Sequence, residues 1–195
     1  MIVLESQYWP SLPWMKSFMN TDRVLIEQWE NYQKQGLRNR CKIVGAQKII
    51  TLSIPIEGGR DQKSLIKDIK INYSDNWITK QLRTIKSCYA KAPYFEFYYP
   101  EVKNILEKKH IYLIDLNMNI LDKLCKWIKW NGAVRLTDEF ISPSDKSSVA
   151  QIQLKSPQLK PYMQVFSDRF EFQPVVSILD TLFCLGPSTA TYLQS

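Results

Sequence analysis

The chain contains a single histidine, His110. This excludes a metal site built from several imidazoles within one chain, and any Ser-His or Cys-His nucleophile pair would have to use that one residue. His110 follows Glu107-Lys108-Lys109 at what reads as a helix end, where a cation is favourable, so a structural role is expected for it. Cys41, Cys88, Cys125 and Cys184 lie far apart, with no C-x-x-C pair and no close histidine. That spacing makes neither a zinc site nor a small disulfide framework, so no metal is expected and no cofactor is indicated. Membrane-length apolar runs are also lacking. The opening Ile2-Val3-Leu4 runs straight into Glu5, with no basic n-region or long apolar h-region before it. On those grounds the expected compartment is the reducing cytoplasm, without a membrane span. Neither an internal repeat nor a low-complexity tract is present.

What the chain does have is apolar and aromatic mass. Its 195 residues are 45% hydrophobic and 12% aromatic, enough to bury a core as one domain, 1–195, without disulfides or metals. The net charge of +7 and pI of about 9.2 favour anionic partners in general. The bases are nevertheless spread along the chain. Their densest groups, 38–42, 80–91 and 103–109, are short and mixed with apolar residues, and no nucleic-acid reading motif emerges. A small-molecule substrate is therefore expected and a nucleic acid is not; the oligomeric state is left open.

Chemistry concentrates in Glu27 to Cys41, where two carboxylates, an aromatic run and a basic cluster fall within fifteen residues of an apolar strand. Glu27, at a strand end, is a candidate general base whose pKa Glu30 would raise or nearby arginines would lower. Equally, it could anchor Arg38 or Arg40. Arg38, Asn39 and Arg40 set guanidinium forks around an amide, suited to holding phosphate or carboxylate, or to tying the loop to the preceding acids. Lys34, two residues after Tyr32, could neutralise a developing anion. Gln7, Tyr8 and Trp9 could form a sugar or base platform, with core burial of Trp9 and Trp14 as the competing reading. The candidate catalytic set is Glu27, Glu30 and Lys34, and the candidate binding set is Gln7, Tyr8, Tyr32, Arg38, Asn39 and Arg40.

Periodicity places these residues. Strands are expected at 2–5 and 24–27 with a helix at 13–18 between them, a β-α-β unit whose strand ends bring Gln7, Tyr8 and Trp9 near Glu27. Residues 49–56 alternate as a half-buried strand that can pair with 41–44 across Gly45-Ala46-Gln47, and 69–73 alternate as another. Helices are expected at 76–89, 101–109, 116–130 and 177–185, strands at 134–136 and 162–166, and a flexible loop over 141–161. Trp77, Tyr89, Tyr94 and Phe95 are expected in the core or at helix caps, and Arg169 with Asp180 as a buried salt bridge. The fold class is α/β or α+β: a mixed sheet opening with a β-α-β unit and covered by helices from the middle and C-terminal part.

A set of ordered motifs adds a resemblance. Q-Y-W-P at 7–10, Asp22 before the strand into Glu27, Y-x-K at 32–34 and R-N-R at 38–40 come first. L-S-I-P-I at 52–56, W-x-x-K at 77–80, Y-x-K-A-P-Y-F at 89–95 and L-x-D-L-N at 113–117 follow, and F-x-x-R-F-x-F with S-I-L-D-T-L-F-x-x-G-P closes the chain. Together they resemble the WbqC-like family of bacteria and archaea over nearly the whole length. The chain departs from the commoner pattern at Ser6 and Gln81, where a histidine is frequent, and at Val176, where asparagine is. Neither histidine is then available as a base. The resemblance implies a role in O-antigen, lipopolysaccharide or other surface polysaccharide biosynthesis. It implies specifically an aminoacyl or acyl transferase acting on an amino sugar, with an activated sugar, nucleotide or acyl donor as substrate. A non-catalytic sugar-binding or scaffold protein is the alternative. So is a nucleotidylyltransferase-like enzyme holding phosphates at its first helix N-terminus.

Overall fold

The computed structural model describes residues 1–58, 63–142 and 159–195. Its opening is the expected crossover: β1 (Ile2–Glu5), helix α1 (Leu12–Met19) and β2 (Arg23–Glu27), with the two strands parallel and Glu5 opposite Glu27. Pro13 sits in the first turn of α1, where its missing N–H costs nothing, and Leu12, Trp14, Met15 and Phe18 face the core. A third strand, β5 (Ala133–Leu136), joins the other side of β2 in parallel, so the sheet order is β1-β2-β5. Gly132 lets it in: a Cβ there would stand 2.5 Å from the Asp22 carbonyl oxygen, the same oxygen that accepts from the Ala133 N–H.

Between β2 and β5 lies an antiparallel pair, β3 (Arg40–Val44) with β4 (Ile49–Ser53), followed by α2 (Trp77–Tyr89), α3 (Phe95–Glu107) and α4 (Leu113–Trp127). The chain ends with α5 (Ile178–Leu185), capped by the Ser177 hydroxyl, and α6 (Thr189–Gln194). Parallel strands, an antiparallel pair and covering helices make this the expected α/β architecture. Buried apolar side chains from Leu4 to Leu193 form one contiguous cluster around Trp9, Trp14, Tyr89 and Phe183.

Three local expectations change. Helix α3 begins at Phe95 and carries Pro100 inside it, because Phe95, Tyr98 and Val102 bury one face and compensate the hydrogen bond proline cannot make. Residues 69–73 form no strand; Lys70 and Ile71 make only single bridges, to Tyr112 and Ile56. Residues 162–166 are irregular, held by side chains instead of a ladder. The expected loop at 141–161 falls mostly on 143–158, and the turn after Gly58 on 59–62, both outside the described residues.

Candidate functional site

Because β1 and β2 run parallel in register, Glu5 and Glu27 end side by side at the C-terminal edge of the sheet. The chain leaving β2 then brings Glu30 back to the same edge, and Arg38 is held between the acids. Its Nε and one terminal nitrogen donate to the two Glu30 oxygens at 2.6 Å each, and that nitrogen also lies 2.9 Å from Glu5 Oε2. Arg38 is 3% exposed, so the fork anticipated for a ligand is spent on two carboxylates. Burial pushes the Glu30 carboxyl above its usual range although Arg38 pulls it down, while the Arg38 guanidinium is held firmly charged by Glu30 and Glu5.

This ion-pair cluster backs an open cleft of about 680 Å³ lined by Glu5, Arg38 and the intervening loop of Gln33, Lys34, Gln35, Gly36 and Leu37. Lys34 is exposed at its edge. Tyr32 is buried, its N–H donating to the Ser64 carbonyl, and burial raises its phenol pKa. Asn39 donates its amide to the Ile54 carbonyl, which places it as a strut for β4 away from the cleft wall. Arg40, half-buried at the start of β3, makes no side-chain hydrogen bond or ion pair among the described residues.

Glu27 meets neither arginine. Its Oε1 accepts from the Trp29 N–H (2.6 Å) and the Thr137 hydroxyl (3.1 Å), and its Oε2 from the Ile141 N–H (2.8 Å). The carboxylate thus clasps the segment leaving β5. Gln7 is buried as well: its amide donates to Glu5 Oε1 and its carbonyl oxygen accepts from the Ser11 N–H. Tyr8 is fully buried, donating to Gln81 Oε1, whose amide in turn reaches the Ser53 carbonyl. The structure therefore brings Lys34 and Arg38 to one cleft, with Glu30 paired to Arg38 behind its wall, and does not bring Gln7, Tyr8, Glu27 or Asn39 into its lining. The amino end of α1 is closed to a phosphate, since the Leu12 N–H donates to the Val176 carbonyl.

Glu5 and Asn117 were not singled out from the sequence. Glu5 needed only the parallel register to be placed beside Glu27. Asn117 is hidden in an apolar helix pattern, yet it donates to both Ser6 Oγ and the Arg38 carbonyl at 2.8 Å, fixing the backbone behind the cleft. A second polar cluster lies in the core. Asp180, expected to pair with Arg169, instead accepts from Tyr89, Tyr162 and Gln164, while Arg169 is exposed beside Asp168. Burial raises the Asp180 carboxyl against the pull of those three donors. His110 lies beyond the end of α3, and burial lowers its pKa, so it does not act as the terminal cation. Trp77, Tyr89 and Phe95 are core residues, whereas Tyr94 is partly exposed. No helix among the described residues is long and apolar enough to cross a membrane.

Comparison with known proteins places this arrangement. The chain is 25% identical to the uncharacterized protein Rv1507c of Mycobacterium tuberculosis, over 98% of this chain and 96% of that protein. No solved structure matches it significantly. A sequence model of the WbqC-like protein family matches residues 5–156, a stretch that contains β2 to β5 and the whole cleft, and the chain belongs to that family.

Proposed function

We propose that the protein transfers an aminoacyl or acyl group to the amine of an activated sugar during the synthesis of a bacterial surface polysaccharide such as O-antigen. One observation carries this reading: a carboxylate, Glu5, lines a ligand-sized cleft at the C-terminal edge of parallel strands, braced by Arg38 and Glu30. An amine nucleophile must lose a proton as it attacks an acyl carbonyl, and Glu5 is the acid placed to receive it. Arg38 and Glu30 are positioning residues that keep that carboxylate in place. Lys34, at the cleft edge, is the cation for the oxygen that becomes negative as the acyl carbon turns tetrahedral. The amide bond forms, the donor's leaving group departs with the electron pair of the broken bond, and the amine proton ends on the carboxylate. Glu27 supports the site from behind by holding the 137–141 segment. The chain is taken as a single domain because its buried apolar residues form one cluster.

The test starts with thermal stability against nucleotide sugars, free nucleotides, acyl-coenzyme A and amino acids, because a ligand of the folded state raises Tm by mass action. The ligands found there are then used in a transfer assay. Glu5→Gln is expected to lower turnover by about 10²-fold or more at temperatures where its melting curve shows it fully folded, and Lys34→Ala to lower turnover more than it weakens binding. Full activity in both variants would remove the cleft as the site of reaction. Saturable binding of a sugar without any turnover would favour a non-catalytic binding protein instead.

A further inference from the structure

Arg38 presents its nitrogens in one rigid plane, and the two acids beside it engage only Nε and Nη2. These two donate to Glu30 at 2.6 Å each, and Nη2, which has a second hydrogen to give, also lies 2.9 Å from Glu5 Oε2. Nη1 has no hydrogen-bond or ion-pair partner among the described residues. Nor is it sealed off by burial, as the unpartnered Arg40 Nε is. Arg38 is only 3% exposed and lines the cleft, and Nη1 is the nitrogen through which it meets solvent.

Gly36 keeps that nitrogen open. A Cβ at Gly36 would stand 2.4 Å from Nη1, closer than side-chain carbons approach any neighbour, and Gly36 lines the same cleft. The left-handed glycines of the described residues are Gly58 and Gly186, so the backbone conformation at 36 does not require glycine. The space in front of Nη1 does. The guanidinium cannot swing aside at little cost, because Glu30 grips it in a bidentate fork and Glu5 holds its end.

Charge decides what Nη1 can accept as a partner. One guanidinium here serves two carboxylates, so a phosphate or carboxylate drawn to Nη1 would come to rest beside Glu5 and be repelled by it. A neutral oxygen meets no such penalty. Glu5 Oε2 is joined to Nη2, and Nη1 is carried by the same guanidinium carbon, so an acceptor and a donor stand side by side at the cleft wall. Their match is a ligand with a donor and an acceptor on adjacent carbons.

We infer that the acceptor substrate binds through a vicinal amino alcohol, its amine on Glu5 and the oxygen of the adjacent hydroxyl accepting from Arg38 Nη1, with Gly36 as the specificity-determining residue. This rests on the reading of the cleft as the site of an amine acceptor, and adds the group that must neighbour the amine. Arg38 then has two tasks: it holds Glu5 through Nη2 and reads the substrate through Nη1.

Two simple amines separate the hydroxyl from the rest of the ligand. trans-2-Aminocyclohexanol, cyclohexylamine and inorganic phosphate are titrated into the ¹⁵N-labelled whole protein at one pH and matched ionic strength. Dissociation constants are read from the backbone amide signals of Gln35 and Leu37, which line the cleft. The amino alcohol is expected to bind about tenfold more tightly than the plain amine, the worth of one hydrogen bond from a charged donor, and phosphate to give no saturable shift. Gly36→Ala, with its fold checked by the dispersion of its amide signals, should bring the amino alcohol down to the affinity of cyclohexylamine and leave cyclohexylamine unchanged. Glu5→Gln should weaken both amines alike. Equal binding of the two amines by the parent protein would overturn the inference and leave Glu5 as an amine site. An equal loss of both amines in folded Gly36→Ala, or saturable phosphate binding that this variant abolishes, would overturn it as well. Binding of neither amine would remove the acyl-transfer reading and this inference together.

Discussion

At the residue scale, Arg38 and Arg40 are adjacent entries in one basic cluster, and their fates are opposite. Arg38 is taken up by Glu5 and Glu30, whereas Arg40 is left without an anion among the described residues. Charge spacing along the chain cannot separate them, because the difference lies in which carboxylates the parallel register delivers. Glu27 illustrates the same point: legible as a special residue, it is engaged by two backbone N–H groups and a hydroxyl, not by a cation. Replacing it with glutamine turns one oxygen into an NH₂ that must face a donor. Glu27→Gln is expected to cost about 1–3 kcal/mol of stability, read by urea unfolding, while ligands still bind the cleft. Unchanged stability would show that those three bonds contribute nothing.

At the element scale, the β-α-β opening, the β3–β4 pair, β5 and α2 were all readable from periodicity, since each buries one regular face. The failures have a common cause. Residues 69–73 alternate like a strand but find only single bridges, and α3 runs through Pro100 because its buried aromatic face outweighs one lost bond. Asp180 shows what replaces a ladder at 162–173. It accepts from Tyr89 on α2, from Tyr162 and from Gln164, and Gln164 in turn bonds both backbone groups of Gln173. Tyr89 also accepts from the Val44 N–H, so β3, α2, α5 and the C-terminal segment meet at one carboxylate. Asp180→Ala leaves these donors without an acceptor and should lower stability by about 3 kcal/mol, roughly 6–12 °C in Tm for a chain of this size. A Tm within a degree of the parent would contradict that role.

At the scale of the whole molecule, acid stability carries a signature of the one histidine. Burial lowers the His110 pKa, and in the neutral ring its Nε2 can accept from the Asn119 amide 3.1 Å away. The unfolded chain therefore takes up this proton first. Stability from His110 is present above the unfolded pKa of about 6.5 and is lost as pH falls from there through the folded value. His110→Gln should flatten the fall in Tm between pH 7.5 and 5.5, measured against the parent protein so that Glu30 and Asp180 cancel. Those two groups act with the opposite sign, their raised carboxyl pKa values lowering stability as pH rises through them. An identical pH profile in the variant would show that His110 titrates alike in both states.

Sequence alone determined the family, the α/β class, most element positions and the stretch 27–41 as the place where polar chemistry gathers. These are legible because hydrophobic period, turn residues and motif order are local properties of the chain. Tertiary structure decided which charges are neutralised and which are left over. Parallel pairing set Glu5 beside Glu27, the return of the chain placed Glu30 on Arg38, and the packing of α4 brought Asn117 to the Arg38 carbonyl. The strength of each interaction depends on distance and burial in three dimensions, and neither is encoded by spacing along the chain.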